Sequence, residues 1–279
     1  MVSHQEIGFS NRKGWKSSKP DSLRQAFGTR RGDVISLVGG GGKTTLMFAL
    51  ARELASSGGV ITTTTTKFFE PLPCQTPLLL LEANEAEMMR LLLLNVDKYR
   101  HITLASKRLA SGKLDGISPD LVARLAQIKQ VSYIIVEADG AAHRSLKAPN
   151  PTEPVIPDNT SLVIAVVGID AVGCRLTEEN VFRPQIVSKL LGMPLGEVIS
   201  SSAIAFLMTH HQGIIKGSPE RARIVPFINK ADLDEGLSKG RELADKILAM
   251  RHPQIERVVL GQAQSPEPVV EVISQKSIR

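Results

Sequence analysis

Short apolar runs rich in Val, Ile and Leu recur along the chain, each followed by a stretch in which apolar positions return every three or four residues. The runs at Val34–Val38, Val60–Ile61, Leu78–Leu81, Ile102–Leu104, Tyr133–Val136, Leu162–Val167, Ile224–Ile228 and Arg257–Leu260 predict strands. Several are apolar at successive rather than alternate positions, as strands covered by helices on both faces must be. Thr44–Ser56, Ala83–Leu94, Pro119–Lys129, Pro184–Leu191, Ser201–His210 and Glu235–Met250 have helical spacing. Ser118-Pro119-Asp120 is a helix-start signal: a capping hydroxyl, a proline with its missing N–H, and an acid in the first turn. The alternation predicts an α/β fold, a mostly parallel sheet with helices on both faces. Residues 68–118 are long for one crossover and are expected to form an insertion after the second strand. Residues 146–157, crowded with prolines, must be an extended loop.

The first strand runs directly into glycines in VISLVGGGGKTTL, residues 34–46. A loop of this kind between a strand and a helix binds phosphate through oriented amides and the positive helix end. In that reading Gly39, Gly40, Gly41 and Gly42 cradle the phosphates and Lys43 reaches the terminal ones. Thr44 offers its hydroxyl to Mg²⁺, and Thr45 is counted with the nucleotide-binding residues. The spacing Gly39-x-x-Gly42-Lys43-Thr44 is two residues shorter than the common phosphate loop and resembles that of Mur-type ligases.

Two later strand ends supply partners. VSYIIVEADG ends in Glu137 and Asp139, and carboxylates at such a position hold Mg²⁺ beside a phosphate loop. On extended backbone both point the same way; Glu137 could instead orient an attacking water. RIVPFINKADL places Asn229-Lys230-Ala231-Asp232 after an apolar strand, the guanine-reading pattern N-K-x-D. Its Asp accepts from the ring N–H and the exocyclic amine of guanine, where adenine has an acceptor and no amine. The Lys stem covers the base and the Asn holds the loop. The bland alternative is that Asp232 or Asp234 caps the following helix. Within TTTTTK, Thr65 or Thr66 could join the Mg²⁺ shell and Lys67 the phosphate charge; a plain edge strand fits as well. Asp170-x-x-Gly173 is a candidate switch or an ordinary loop. His210-His211, Arg183 and Lys216 read best as surface groups.

Composition narrows the class. The 279 residues carry a net charge of +6, yet five of those six charges fall within residues 1–31. A mobile basic leader over residues 1–32 and a nearly neutral α/β domain over 33–279 follow. With aromatics at 4% and the body neutral, nucleic-acid binding is not expected. Two distant cysteines, Cys74 and Cys174, form no metal-ligand spacing and suit a reducing compartment. No apolar run has the length of a membrane span, so a cytoplasmic protein is expected.

Taken in order, VISLVGGGGKTTL, ITTTTTKFF, VEADGAAHRSLKAPNPTEPVIP, VVGIDAVG, FRPQ and KGSPERARIVPFINKAD resemble the selenium-dependent hydroxylase accessory protein YqeC family. They span residues 34 to about 235. Two positions depart from the family pattern: Phe182 stands where a histidine precedes Arg-Pro, and Gln185 where an acid follows. The resemblance implies a P-loop NTPase-like fold and a role in maturing a selenium-dependent molybdenum hydroxylase, with that enzyme or its cofactor as partner. The motif set is also similar to metallochaperone GTPases, although it lacks their Cys and His clusters. The expected function is therefore a Mg²⁺-dependent nucleoside triphosphatase, using GTP in preference to ATP, with Lys43, Glu137 and Asp139 in catalysis. An ATP-dependent ligase or kinase acting on a small cofactor, and a non-enzymatic carrier of a molybdopterin-type cofactor, remain as alternatives.

Overall fold

The computed structural model describes residues 15–275; residues 1–14 of the expected leader lie outside the described residues. The first half of the chain forms β1 (Trp15–Ser18), α1 (Leu23–Phe27), β2 (Val34–Gly39), α2 (Lys43–Leu54), β3 (Gly59–Thr64), β4 (Lys67–Phe69), β5 (Leu79–Leu81), α3 (Glu85–Tyr99), β6 (His101–Ala105), β7 (Lys107–Arg108), β8 (Lys113–Asp115), α4 (Pro119–Leu125) and β9 (Val131–Glu137). The second half forms β10 (Leu146–Lys147), β11 (Leu162–Gly168), β12 (Val181–Phe182), α5 (Pro184–Leu191), α6 (Ser201–Thr209), β13 (Arg223–Asn229), α7 (Gly236–Ala249), β14 (Arg257–Gly261) and β15 (Val269–Gln275).

Ten strands make one sheet in the order β1-β15-β14-β13-β11-β2-β9-β3-β6-β5. From β14 to β5 every pairing is parallel. Only the β14–β15 and β15–β1 pairings are antiparallel. This is the expected α/β architecture, consistent with a P-loop NTPase-like fold. The alternation of side chains across the pleat separates two faces. On β11, Leu162, Ile164 and Val166 pack with α1 and α2, while Val163, Ala165 and Val167 pack with α6 and α7. Further along the second face, Ile61, Ile134 and Val136 meet α3 and α4. Ser118 caps α4 as the sequence predicts, accepting from the Leu121 N–H at 3.1 Å.

Residues 68–118 are only partly an excursion. β5 and β6 extend the main sheet beyond β3, because Leu79–Leu81 and His101–Ala105 are strands that α3 covers from one side. Only β4, β7 and β8 stand apart, as a small antiparallel sheet at the carboxyl end of β3. Residues 15–32 also join the body. β1 pairs with β15, and α1 buries Leu23, Ala26 and Phe27 against the sheet. Arg223 ties this segment down, donating to the Gly28 carbonyl at 2.6 Å and to Asp33 at 2.8 Å.

One buried titratable group gives the fold a pH dependence. His101 is 3% exposed at the start of β6, with Nε2 3.1 Å from the Thr62 hydroxyl. Burial, then the nearby Arg52, push its pKa from 6.5 down to about 4. The unfolded chain takes up this proton near its ordinary pKa and the folded chain near 4. Stability therefore falls as pH drops through that window and levels off below it. The expected loss is about 3 kcal/mol, and urea midpoints between pH 7.5 and 4 should show it in the wild type and not in His101→Gln.

Candidate functional site

Strand β2 has β9 on one side and β11 on the other, so all three carboxyl ends converge on the glycine turn. Three of the four glycine amides are spent on protein groups. Gly39 N–H donates to Asp139 Oδ2 (3.1 Å), Gly40 N–H to the Val166 carbonyl (2.9 Å) and Gly41 N–H to the Arg144 carbonyl (2.9 Å). Gly41 and Gly42 adopt φ of 77° and 122°. A Cβ at Gly41 would run into the Gly168 backbone, and one at Gly42 into Asn229 Nδ2. Here the glycines answer to neighbouring backbone as well as to any ligand. The donors left open belong to the first turn of α2. Gly42 caps it without a side-chain bond, and Leu46 N–H, on Gly42 O at 3.0 Å, is the first intrahelical bond of its turn.

Lys43 is 4% exposed at the start of that turn. Its Nζ donates to the Gly39 carbonyl (2.7 Å) and lies 3.2 Å from Asp139 Oδ1 and 3.7 Å from Glu137 Oε1. Burial works to lower the lysine pKa, but the two carboxylates outweigh it and the net shift is upward. Glu137 is raised, chiefly by burial, which Lys43 and the Thr44 hydrogen bond only partly offset. The Thr44 hydroxyl donates to Glu137 Oε2 at 2.7 Å. Leu37 and Glu137 are cross-strand partners, and this register carries the carboxylate to the foot of α2.

The two acids divide their contacts. Glu137 meets Thr44, whereas Asp139, 1% exposed, is enclosed between Gly39 N–H, Lys43 and Lys147 Nζ (2.9 Å). Lys147 escaped the sequence reading although it is fully buried. It also donates to the Gly140 carbonyl (2.6 Å) and lies 3.4 Å from Glu153, which Arg183 meets at 2.6 Å. Three cations and three carboxylates thus alternate from Glu137 to Arg183. Lys216 donates to the carbonyls of Asn150, Pro151 and Glu153. Both Arg183 and Lys216 therefore brace the proline-rich loop. A lysine flanked by Leu146 and Ala148 was the one sequence signal of this burial.

On the other side of β2, Asn229 spans two loops. Its Nδ2 donates to the Gly41 carbonyl (2.7 Å) and its Oδ1 accepts from Ala263 N–H (2.8 Å). Lys230, at φ 66°, donates to Ser145 and pairs with Asp170 at 2.6 Å. Asp232 is exposed and caps nothing, since α7 begins at Gly236 behind Glu235 with no side-chain cap. Asp232, Thr45 and Lys67 line one cleft together with Gly41–Thr44, Glu137, Asn229 and Lys230. The Thr65 hydroxyl turns instead to the Val155 carbonyl (2.6 Å), and Thr66 to Thr64. His210 and His211 pack together with tilted rings, away from the cleft. Among the described residues no group of three or more His, Cys, Asp or Glu could hold a metal ion. A cation at Thr44 and Glu137 would complete its shell from ligand oxygens and water.

The cleft measures about 1200 Å³. The chain matches the family described as YqeC protein over residues 35–185, more than half its length. This chain belongs to the YqeC family. It is 32% identical over 153 residues to "Uncharacterized protein YqeC" of Escherichia coli (strain K12), covering 55% of this chain and 59% of that relative. The chain thus spans little more than half the length of the curated relative it matches. The YqeC match contains the glycine turn, Glu137, Asp139, Lys147, Glu153 and Arg183, and stops before Asn229–Asp232. Among the described residues no helix is long and apolar enough to cross a membrane.

Proposed function

We propose that this YqeC-family protein binds a nucleoside triphosphate with Mg²⁺, GTP in preference to ATP, and hydrolyses it. The observation that carries the reading is the convergence of Lys43, Thr44 and Glu137 within hydrogen-bond and ion-pair distance at an open helix N-terminus. That set fits a phosphate–Mg²⁺ group: free first-turn N–H donors for the phosphates, a buried ammonium, and a hydroxyl and carboxylate for the metal. Mg²⁺, when bound, neutralises charge on the phosphate oxygens. Lys43 holds the terminal phosphate, Thr44 and Glu137 hold the ion, and Asp139 fixes the turn through Gly39. Asn229 keeps the turn and the Ala263 loop in register, and exposed Asp232 faces the base. The family resemblance extends the reading to maturation of a selenium-dependent molybdenum hydroxylase.

Isothermal titration of GTP, GDP and ATP tests it. Wild type should prefer GTP, and Asp232→Ala should weaken GTP about a hundredfold while leaving ATP unchanged, the loss of a polar match to the base. No binding of either triphosphate by wild type would refute the proposal. The short glycine turn also favours a second reading, an ATP-dependent kinase or ligase for a small cofactor. A preference for ATP that Asp232→Ala leaves untouched, with turnover only when an acceptor is present, would select it.

A further inference from the structure

The lining of the cleft extends well beyond the glycine turn and the Asn229–Asp232 loop. Single small ligands occupy pockets of about 300–1000 Å³, against about 1200 Å³ here. Its lining falls on two sides of β2. Residues following β13 and β14, including Asp232 and Ala263–Ser265, line one side. The small sheet after β3 and the loop after β9 line the other.

The second side has its own chemistry. Phe69 is 52% exposed on β4, and the His143 ring stacks on it with centroids 5.4 Å apart and planes 24° apart. Lys113 Nζ lies 4.9 Å from the Phe69 centroid, and Lys67 lines the same wall. The nearby acid Glu70 is taken by Arg108 at 2.6 Å, and Asp115, opposite Lys67 in register, does not line the cleft. Lys67 and Lys113 form no ion pair among the described residues. Ala142 and His143 both hold left-handed backbone, φ 46° and 61°, a conformation that costs residues with side chains energy. The same loop touches the glycine turn, since Gly41 N–H donates to the Arg144 carbonyl.

We propose that this half of the cleft is a second ligand subsite, which takes a flat ring system bearing an anionic group. Phe69 and His143 form the wall for the ring, and Lys67 and Lys113 attract the anion. The inference rests on the nucleotide reading, to which it adds the class of the co-substrate. An exposed aromatic wall in a polar cleft gains by covering itself with a ring, and two ammonium groups beside it, neither held by a carboxylate among the described residues, select a negative one.

FMN and folate, each a flat ring with an anionic group, serve as probes. They are titrated into the whole protein, alone and saturated with a non-hydrolysable GTP analogue and Mg²⁺. At least one should bind one-to-one in both states. Phe69→Ala and Lys113→Gln should each weaken it about tenfold, the size of a lost stacking or cation contact, with analogue affinity unchanged. Lys43→Ala should lose the analogue and keep the ring ligand. The proposal is overturned if neither probe binds, if both substitutions leave binding intact, or if the analogue displaces the probe one for one. Phe69-dependent probe binding in a protein that binds no nucleotide would instead sink the nucleotide reading and leave the subsite standing.

Discussion

Lys43→Ala is expected to lower triphosphate hydrolysis about a thousandfold, the scale seen when a preorganised charge at a reacting centre is removed. The ammonium is buried, rigidly held by the Gly39 carbonyl and flanked by Glu137 and Asp139, so nothing else in the turn replaces it. The same substitution has a second, independent signature. Without the cation, Glu137 keeps its burial and loses its main stabilising charge, so its already raised pKa climbs further. A carboxyl whose folded pKa exceeds its unfolded value costs stability as pH rises between the two. The variant should therefore be closer to wild type at pH 5.5 than at pH 8. Urea midpoints at the two pH values, with single-turnover hydrolysis alongside, check both signatures. Hydrolysis within threefold of wild type would remove Lys43 from the chemistry. A stability difference independent of pH would show that Glu137 does not feel it.

The prediction also shows which links were legible in the chain. The eight strands expected from apolar runs are all present, and Glu137 could be aimed at the glycine turn because a carboxylate ending a buried strand has few other uses. What failed was everything decided by pairing. Val269–Gln275 became a strand on β14, and Trp15–Ser18 a strand on that; the leader's basic charge hid a short segment whose Leu23 and Phe27 are fully buried. Arg183 and Lys216 read as surface charge because their partners, Glu153 and the carbonyls of Asn150 and Pro151, come from a loop thirty or more residues away. Likewise nothing local says that three of the four glycine amides are spent on Asp139, Val166 and Arg144. Spacing identified the turn, but only tertiary contact identified its free donors as those of the helix behind it.

Lys147→Met should be the most destabilising single change outside the hydrophobic core. The ammonium is wholly buried and joins Asp139, Glu153 and the Gly140 carbonyl. A methionine fills the volume, so the loss is electrostatic rather than a cavity. It leaves a buried carboxylate at Asp139 with Lys43 as its one remaining cation, and Lys43 is shared with Glu137. Breaking a buried pair from one side costs about 3–5 kcal/mol. For a chain of this length that is a fall of about 5–9 °C in the unfolding midpoint. Adding Asp139→Asn should recover part of the loss, because a neutral amide no longer requires the missing cation while it can still accept from Gly39 N–H. Thermal unfolding of the two single variants and the double variant measures the coupling directly. If the double variant is as unstable as the sum of the singles, Asp139 and Lys147 are not coupled. The bond from Gly39 N–H to Asp139 would then hold the glycine turn without help from Lys147.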